Sequence, residues 1–502
     1  MLTRTALIME ENGKLSILFL SAEVDPYAKT GGLADVAGSL PKAIRRLSHD
    51  IRVVMPAYRR VDKERFGLEQ VLAPYPIPMD TETQPATIYQ AVMDEGVPIY
   101  FVDNAHYFDR ENIYGYEDDA DRFIFFCRAA LEMCRHMNWQ PDILHCNDWH
   151  TAIIPNWMHT IYAEDGFFRN TATLFTIHNL QYQGIFGWRV LQIAGIAEHG
   201  YITHPELAPD LHEVVDLMAR GILFADVINT VSPRYAQEIL TPEFGEGLDP
   251  LLRERRDALF GILNGIDTEE WNPATDDQIA VNYDVHSLAR RVENKLALQA
   301  ECGLPQNRDV PVIGMISRLA DQKGFDLLEA TINHILKLDV QFVLLGTGEQ
   351  HYHNLLRRVA EEHPHQTSIN LTFNPPLARK IYAGSDMFLM PSRFEPCGLG
   401  QMIAMRYGSI PVVRAVGGLA DTVHDFDPRT GEGNGFVFEA YDPWALYTAV
   451  VRAIENYKHA GTWRQLQERG MRADFTWDAS ARQYVDLYRR AKHSNANNWP
   501  QR

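Results

Sequence analysis

The stretch Phe388-Leu389-Met390-Pro391-Ser392-Arg393-Phe394-Glu395-Pro396-Cys397-Gly398-Leu399 joins an apolar run to a proline-broken loop that holds a cation, a carboxylate and a glycine. The run reads as a buried strand, Pro391 as its end, and helical sequence resumes at Gly400. Glu395 therefore falls in a strand-to-helix loop at the carboxyl end of a strand, where open α/β sheets bind ligands. Further on, Ile410 to Val413 leads into Val416-Gly417-Gly418-Leu419-Ala420-Asp421, again a strand, a glycine turn and a helix start. Two such turns side by side predict a nucleotide diphosphate and a sugar lying across them.

The surrounding sequence has the same rhythm. Strands are expected at Val310 to Ile316, Gln341 to Leu345, Ile369 to Phe373 and Met387 to Met390, with helical sequence between them. The first of these delivers Ser317-Arg318-Leu319-Ala320-Asp321-Gln322-Lys323-Gly324. An arginine at a strand end and a lysine at a helix start can both point at one diphosphate, and no metal is then required to offset its charge. On spacing alone the pair also reads as two surface cations. Beyond Asp442 only helical sequence follows, and Ala479 to Lys492 is expected to pack back on the first domain.

Toward the amino end, strands are expected at Leu15 to Leu20, Arg52 to Met55, Pro98 to Val102, Ile143 to Cys146, Thr173 to Ile177 and Asp226 to Thr230. This βα alternation predicts an α/β fold with a mostly parallel, doubly wound sheet. The first strand runs into Pro26-Tyr27-Ala28-Lys29-Thr30-Gly31-Gly32 and a helix from Leu33. Glycines there let backbone N–H groups approach a phosphate, and Lys29 adds a full charge, although a plain turn with a solvated lysine fits the spacing equally. Polar residues cluster just after later strands: Asp103-Asn104, Asn147-Asp148-Trp149-His150, His178-Asn179 and Ser232. His178 reads as catalytic or as a satisfied loop histidine; Asp148 reads as a site residue or as a helix cap. Asp119-Ala120-Asp121 resembles a metal-holding aspartate pair, but acids in the first turn of a helix are explained by its dipole. Tyr114 and Tyr116 are candidates for stacking on sugar rings or for packing their own loop.

At 502 residues the chain exceeds one ordinary core. A disordered head is expected at 1–14 and a first domain at 15–258 completed by a helix within 476–502. The second domain is 259–475, with a hinge near Asn264-Gly265-Ile266-Asp267. The net charge of −19 argues against nucleic acid and anionic membrane as partners. Five cysteines, without metal-finger spacing, read as reduced thiols of a cytoplasmic protein. Neither a secretory leader nor a membrane-spanning run is expected.

Lys29-Thr30-Gly31-Gly32-Leu33-Ala34-Asp35-Val36 resembles the KTGGLADV signature of bacterial glycogen synthases and plant starch synthases. His145 to His150, Thr176 to Leu180, Thr241 to Leu248, Asn264 to Asp267, Ser317 to Gly324 and Pro391 to Leu399 resemble other segments of that family, in its order. The resemblance implies a GT-B architecture, two Rossmann-like domains facing a deep cleft. It implies retaining transfer of glucose from a nucleotide-glucose, usually ADP-glucose and otherwise UDP-glucose, to the non-reducing end of an α-1,4-glucan, with no cofactor and no metal. It also implies roles. Lys29 and Gly32 would meet the donor phosphates, and Asp35 would support their loop. Arg318 and Lys323 would stabilise the departing diphosphate. Glu395 would hold the glucose hydroxyls beside the backbone of Cys397, Gly398 and Leu399. His178 would sit over the reacting sugar, and Asp148 and Asn264 would line the glucose pocket. Departures stand at Ile403, where the wider superfamily often has a second glutamate, at Gly400, where many relatives have Thr, and at Phe373, where some have Tyr. These leave the nucleotide open. A different acceptor and a non-catalytic glucan-binding relative are the alternatives; all four of Lys29, Arg318, Lys323 and Glu395 are present, against the second.

Overall fold

The computed structural model describes residues 13–196, 204–208 and 214–498. All of the expected disordered head except Gly13 and Lys14 lies outside the described residues, as do 499–502 of the expected C-terminal segment. The chain divides into two compact units, one running to Val231 with Ala236–Ile262 and the chain from Trp477 onward, the other comprising Ser232–Tyr235 and Leu263–Thr476.

The first unit is built on β1 (Ser16–Leu20), β2 (Asp50–Pro56), β3 (Glu69–Met79), β4 (Glu82–Met93), β5 (Val97–Asp103), β6 (Ile143–Asn147) and β7 (Ala172–Ile177). A small ribbon of β8 (Ile185–Phe186) and β9 (Val215–Asp216) follows, then β10 (Val227–Thr230) and β11 (Leu259–Gly261). Nine of these form one sheet in the order β11-β10-β7-β6-β1-β2-β5-β4-β3. The central strands are parallel and read as continuous apolar runs because helices cover both faces. At one side the sheet continues antiparallel through β5, β4 and β3. From the sequence no strand is expected between Met55 and Pro98, where the structure has β3 and β4. Prolines at 74, 76, 78 and 85 break the apolar run there, and an edge hairpin tolerates them where a central strand does not.

The helix Trp477–Asn498 packs on this same sheet. Tyr484, Tyr488 and Ala491 are fully buried by it. The Tyr488 hydroxyl lies 2.9 Å from Nδ1 of His145, whose Nε2 is 2.8 Å from Thr176 Oγ1. Asn229 Nδ2 donates to the Tyr484 hydroxyl at 3.0 Å. Burial holds the His145 imidazole far below its ordinary pKa, so it serves as a neutral bracket between a strand and the terminal helix.

The second unit carries β12 (Val312–Ile316), β13 (Gln341–Leu345), β14 (Thr367–Asn370), β15 (Met387–Met390), β16 (Ile410–Arg414) and β17 (Phe436–Phe438). They form one parallel sheet in the order β14-β13-β12-β15-β16-β17. The expected strand at Ile369 to Phe373 is displaced to Thr367–Asn370, and Phe373 is 83% exposed. Leu371 and Phe373, apolar residues just beyond a polar strand, place the expected boundary too late. Asp386, at the entry to β15, accepts from Val312 N–H at 2.9 Å and pairs with buried Lys295 at 2.7 Å, which ties the helix Arg291–Glu301 to two strands.

Tyr488→Phe leaves buried His145 short of one partner. A loss of about 1–3 kcal/mol is expected from an unsatisfied buried group, read as an earlier urea midpoint for the first unit. An unchanged midpoint would show that the bracket is not structural.

Candidate active site

In the second unit the ends of β12, β15 and β16 carry the polar residues. Lys323 sits in the turn after β12, and its Nζ reaches both oxygens of Glu395, at 2.9 and 2.7 Å. Ser392 Oγ donates to the same carboxylate at 2.9 Å. An ammonium has three donors, so one remains for a ligand. Glu395 is buried, while Arg318 lies exposed at the end of β12, its guanidinium 3.5 Å from Gln322 Oε1. The Glu395 loop is locked from β16. Gly417, at φ +46°, would place a Cβ 2.0 Å from the Glu395 carbonyl oxygen, and a Cβ on Gly418 would fall 2.1 Å from that of Cys397. The Gly418 N–H donates to the Glu395 carbonyl at 3.1 Å. Only glycines permit this approach.

Cys397, Gly398 and Leu399 continue the loop into the helix Gly400–Arg406. Burial pushes the Cys397 thiol up to about 12, although the Asn264 backbone N–H donates to its sulfur. This brings Asn264 beside the Glu395 loop. The Asn264 side-chain oxygen is buried without a hydrogen-bond partner, as is Oε1 of Gln401, whose amide N–H groups donate to the Cys397 and Gly398 carbonyls at 3.1 and 2.9 Å. An orphaned buried carbonyl beside such a loop is a ready acceptor for a hydroxyl.

In the first unit, Lys29 bridges Asp35 at 2.5 Å and Asp25 at 3.2 Å. It is therefore not the freely solvated side chain of the plain-turn alternative. Burial alone would lower its pKa, but the two carboxylates outweigh burial and raise it, so it stays charged. Burial also raises Asp35 despite the lysine. Gly32 opens the helix Gly32–Arg46, and a Cβ there would meet nothing within 4 Å, so the backbone is open to approach. The loop is held from beneath by a residue the sequence did not single out. Buried Glu23 accepts from Thr30 Oγ1 at 2.6 Å, from the Thr30 N–H, from the Gly31 N–H at 3.1 Å and from the Tyr114 hydroxyl at 2.7 Å. The one available signal was its position, three residues past β1. Tyr114 thus serves its own unit through its hydroxyl, and burial raises its pKa far above the ordinary value.

Asp148 follows β6 with φ +55° and ψ −177°, a backbone region that is almost exclusively glycine's. It makes no side-chain cap, so the capping alternative fails. Its Oδ1 instead accepts the His178 backbone N–H at 2.7 Å, and its own N–H donates to the Thr176 carbonyl at 2.9 Å. Burial raises the Asp148 carboxyl to about 7 against the two backbone N–H groups that favour its charge. His178 Nε2 lies 2.8 Å from Asn147 Oδ1, and burial drives its pKa to about 3, so the ring is neutral. The Asp119 carboxylate is taken by Arg122 and by the Gly115 and Tyr116 N–H groups, which makes the acidic triplet a helix-start lock. Among the described residues no group of three His, Cys, Asp or Glu side chains stands placed to hold a metal, and no helix is long and apolar enough to cross a membrane.

Residues 16–254 match the family described as "Starch synthase catalytic domain", and 310–456 match "Glycosyl transferases group 1". The glycogen synthase of Moorella thermoacetica is 51% identical over 96% of this chain and 97% of its own, and that of Thermotoga maritima is 48% identical over 95% and 99%. Among solved structures, the catalytic domain of starch synthase IV from Arabidopsis thaliana, described as bound to ADP and acarbose, superposes with a TM-score of 0.88. It is 36% identical over 96% of this chain and 100% of its own. The two Rossmann-like units are those of a GT-B fold, and the chain belongs to the glycogen and starch synthase family of glycosyltransferases.

Proposed function

We propose that the chain elongates an α-1,4-glucan by transferring glucose from ADP-glucose to its non-reducing end with retention of configuration. The observation that carries this reading is the Glu395 loop. A buried carboxylate, held by Lys323 and Ser392 and locked by Gly417 and Gly418, stands beside the unpaired Asn264 oxygen in a family whose relatives are glycogen synthases. Glu395 would bind glucose hydroxyls, and Lys323 with Arg318 would meet the diphosphate as it leaves. Lys29 and the Gly32 backbone would meet the donor phosphates, with Asp35 holding Lys29. The Asp148 carboxylate would fix the His178 backbone, so that the His178 carbonyl supports positive charge developing on the sugar.

In this scheme two cations supply the leaving group's electrostatic support, and no metal is required. The partners would be the sugar nucleotide and the glucan, with neither nucleic acid nor membrane. Four buried thiols, at Cys127, Cys134, Cys146 and Cys397, support a reducing compartment, the cytoplasm.

Nucleoside diphosphate release should depend on glycogen, favour ADP-glucose over UDP-glucose and persist in chelator. Release that ignores glycogen would mean another acceptor, and no release from either donor would mean a non-catalytic relative. Arg318→Ala or Lys323→Ala should lower kcat by roughly 10²-fold, as loss of a preorganised charge donor does; near-normal turnover would remove that residue from the mechanism. The pH dependence follows from Asp148. Its carboxylate is the form that accepts from His178, and with a pKa near 7 that form gains population as pH rises through neutrality. An ascending limb of kcat/KM near pH 7 is expected, absent in Asp148→Asn; an identical limb in that variant would assign the titration elsewhere.

A further inference from the structure

We propose that a groove on the second unit, between the edge strand β17 and the helix Pro443–Tyr457, is a second α-glucan-binding site in which Trp444 stacks on a sugar ring. The inference rests on the reading that the acceptor is a glucan, and it concerns how the polymer is held. The groove is shallow and open to solvent, as a site for the side of a polymer would be, and is lined by Val437, Phe438, Trp444, Thr448 and Arg452 among others. Trp444, Thr448 and Arg452 are spaced four apart, so they follow one another along one face of the helix over about 12 Å. That sets an aromatic ring, a hydroxyl and a guanidinium in a row, long enough for a few sugar residues.

The ring is exposed yet braced. Trp444 is 54% exposed, and its indole lies 5.2 Å from the His334 ring and 5.8 Å from Tyr447, both edge-to-face. Asp442 caps the helix by accepting the Trp444 N–H at 2.9 Å. A held aromatic face loses little freedom on stacking. Thr448 Oγ1 spends its proton on the Trp444 carbonyl at 2.7 Å, which leaves its lone pairs for a ligand hydroxyl.

Charge and backbone pairing select the ligand class. Arg452 is bound by both oxygens of Asp425, at 3.0 and 2.8 Å, so the groove offers an anion no free charge. A peptide strand added to β17 would need the Val437 backbone. Its N–H already donates to Asp425 Oδ1 at 2.8 Å, and its carbonyl accepts from Arg452 at 3.4 Å. An uncharged, polyhydroxylated chain with apolar ring faces fits what remains.

The test compares wild type, Trp444→Phe, Trp444→Ala and the double variant Trp444→Ala/Thr448→Ala by native-gel retardation in glycogen and by initial rates on glycogen and on maltotriose. In Trp444→Ala, retardation should weaken and the KM for glycogen should rise roughly three- to tenfold, with Trp444→Phe between it and wild type. The kcat on maltotriose and the KM for ADP-glucose should be unchanged. Retardation and glycogen KM equal to wild type in the double variant would overturn the proposal, as would a matching loss on maltotriose, which would mark a general defect. Wild-type retardation without turnover would count against the transferase reading alone, because binding is read separately.

Discussion

The ion pair between Lys323 and Glu395, two contacts of 2.9 and 2.7 Å at the carboxyl ends of β12 and β15, is the interaction on which the second unit's loops depend. Two strands already paired through their backbones in a parallel sheet are joined again beyond their ends, by opposite charges and by the Arg393 N–H, which donates to the Gln322 carbonyl at 2.8 Å. A buried carboxylate without such partners would cost several kcal/mol. Satisfying it fixes where the Ser392 hydroxyl, the Cys397 backbone and, through Gly417, the end of β16 must lie. These two contacts use two of the three ammonium donors, while the fold keeps the pair in place.

The first unit solves a parallel problem with a different device. Its loop after β1 is organised by Glu23, a buried acceptor for three loop donors and the Tyr114 hydroxyl, while Lys29 is held by two acids that keep its charge. After β6 the strain at Asp148 is offset by the His178 N–H and the Thr176 carbonyl. In both units rigidity comes from carboxylates spent on backbone or lysine, and in the first the neutral rings of His145 and His178 bridge neighbouring elements. Preorganisation of this sort suits a reaction whose demand is electrostatic.

Much of this was legible in the sequence because parallel strands announce themselves. Leu18 to Leu20 or Phe388 to Met390 is apolar without alternation, and a polar cluster follows each. Less was legible where a residue acts through three-dimensional partners. Glu23 is one acid after a strand, and nothing local says that Tyr114 will reach it. Asp148 sits where a cap would sit, and only the partner of its carboxylate, the His178 N–H rather than a helix N–H, separates the two roles. The hairpin β3–β4 was hidden because proline density reads as loop. Phe373 was placed in a strand because apolar residues at a strand's end carry no mark of exposure.

Those prolines also set the outer limit of the first sheet. β3 is the last of its nine strands, with Tyr75, Ile77 and Met79 turned inward and Pro74, Pro76 and Pro78 turned to solvent. Three alternate residues there lack an N–H, so the rim cannot template a further strand from a neighbouring molecule. Together with a net charge of −19, this gives the protein a colloidal safeguard that is independent of its chemistry: copies at high concentration cannot join along this rim.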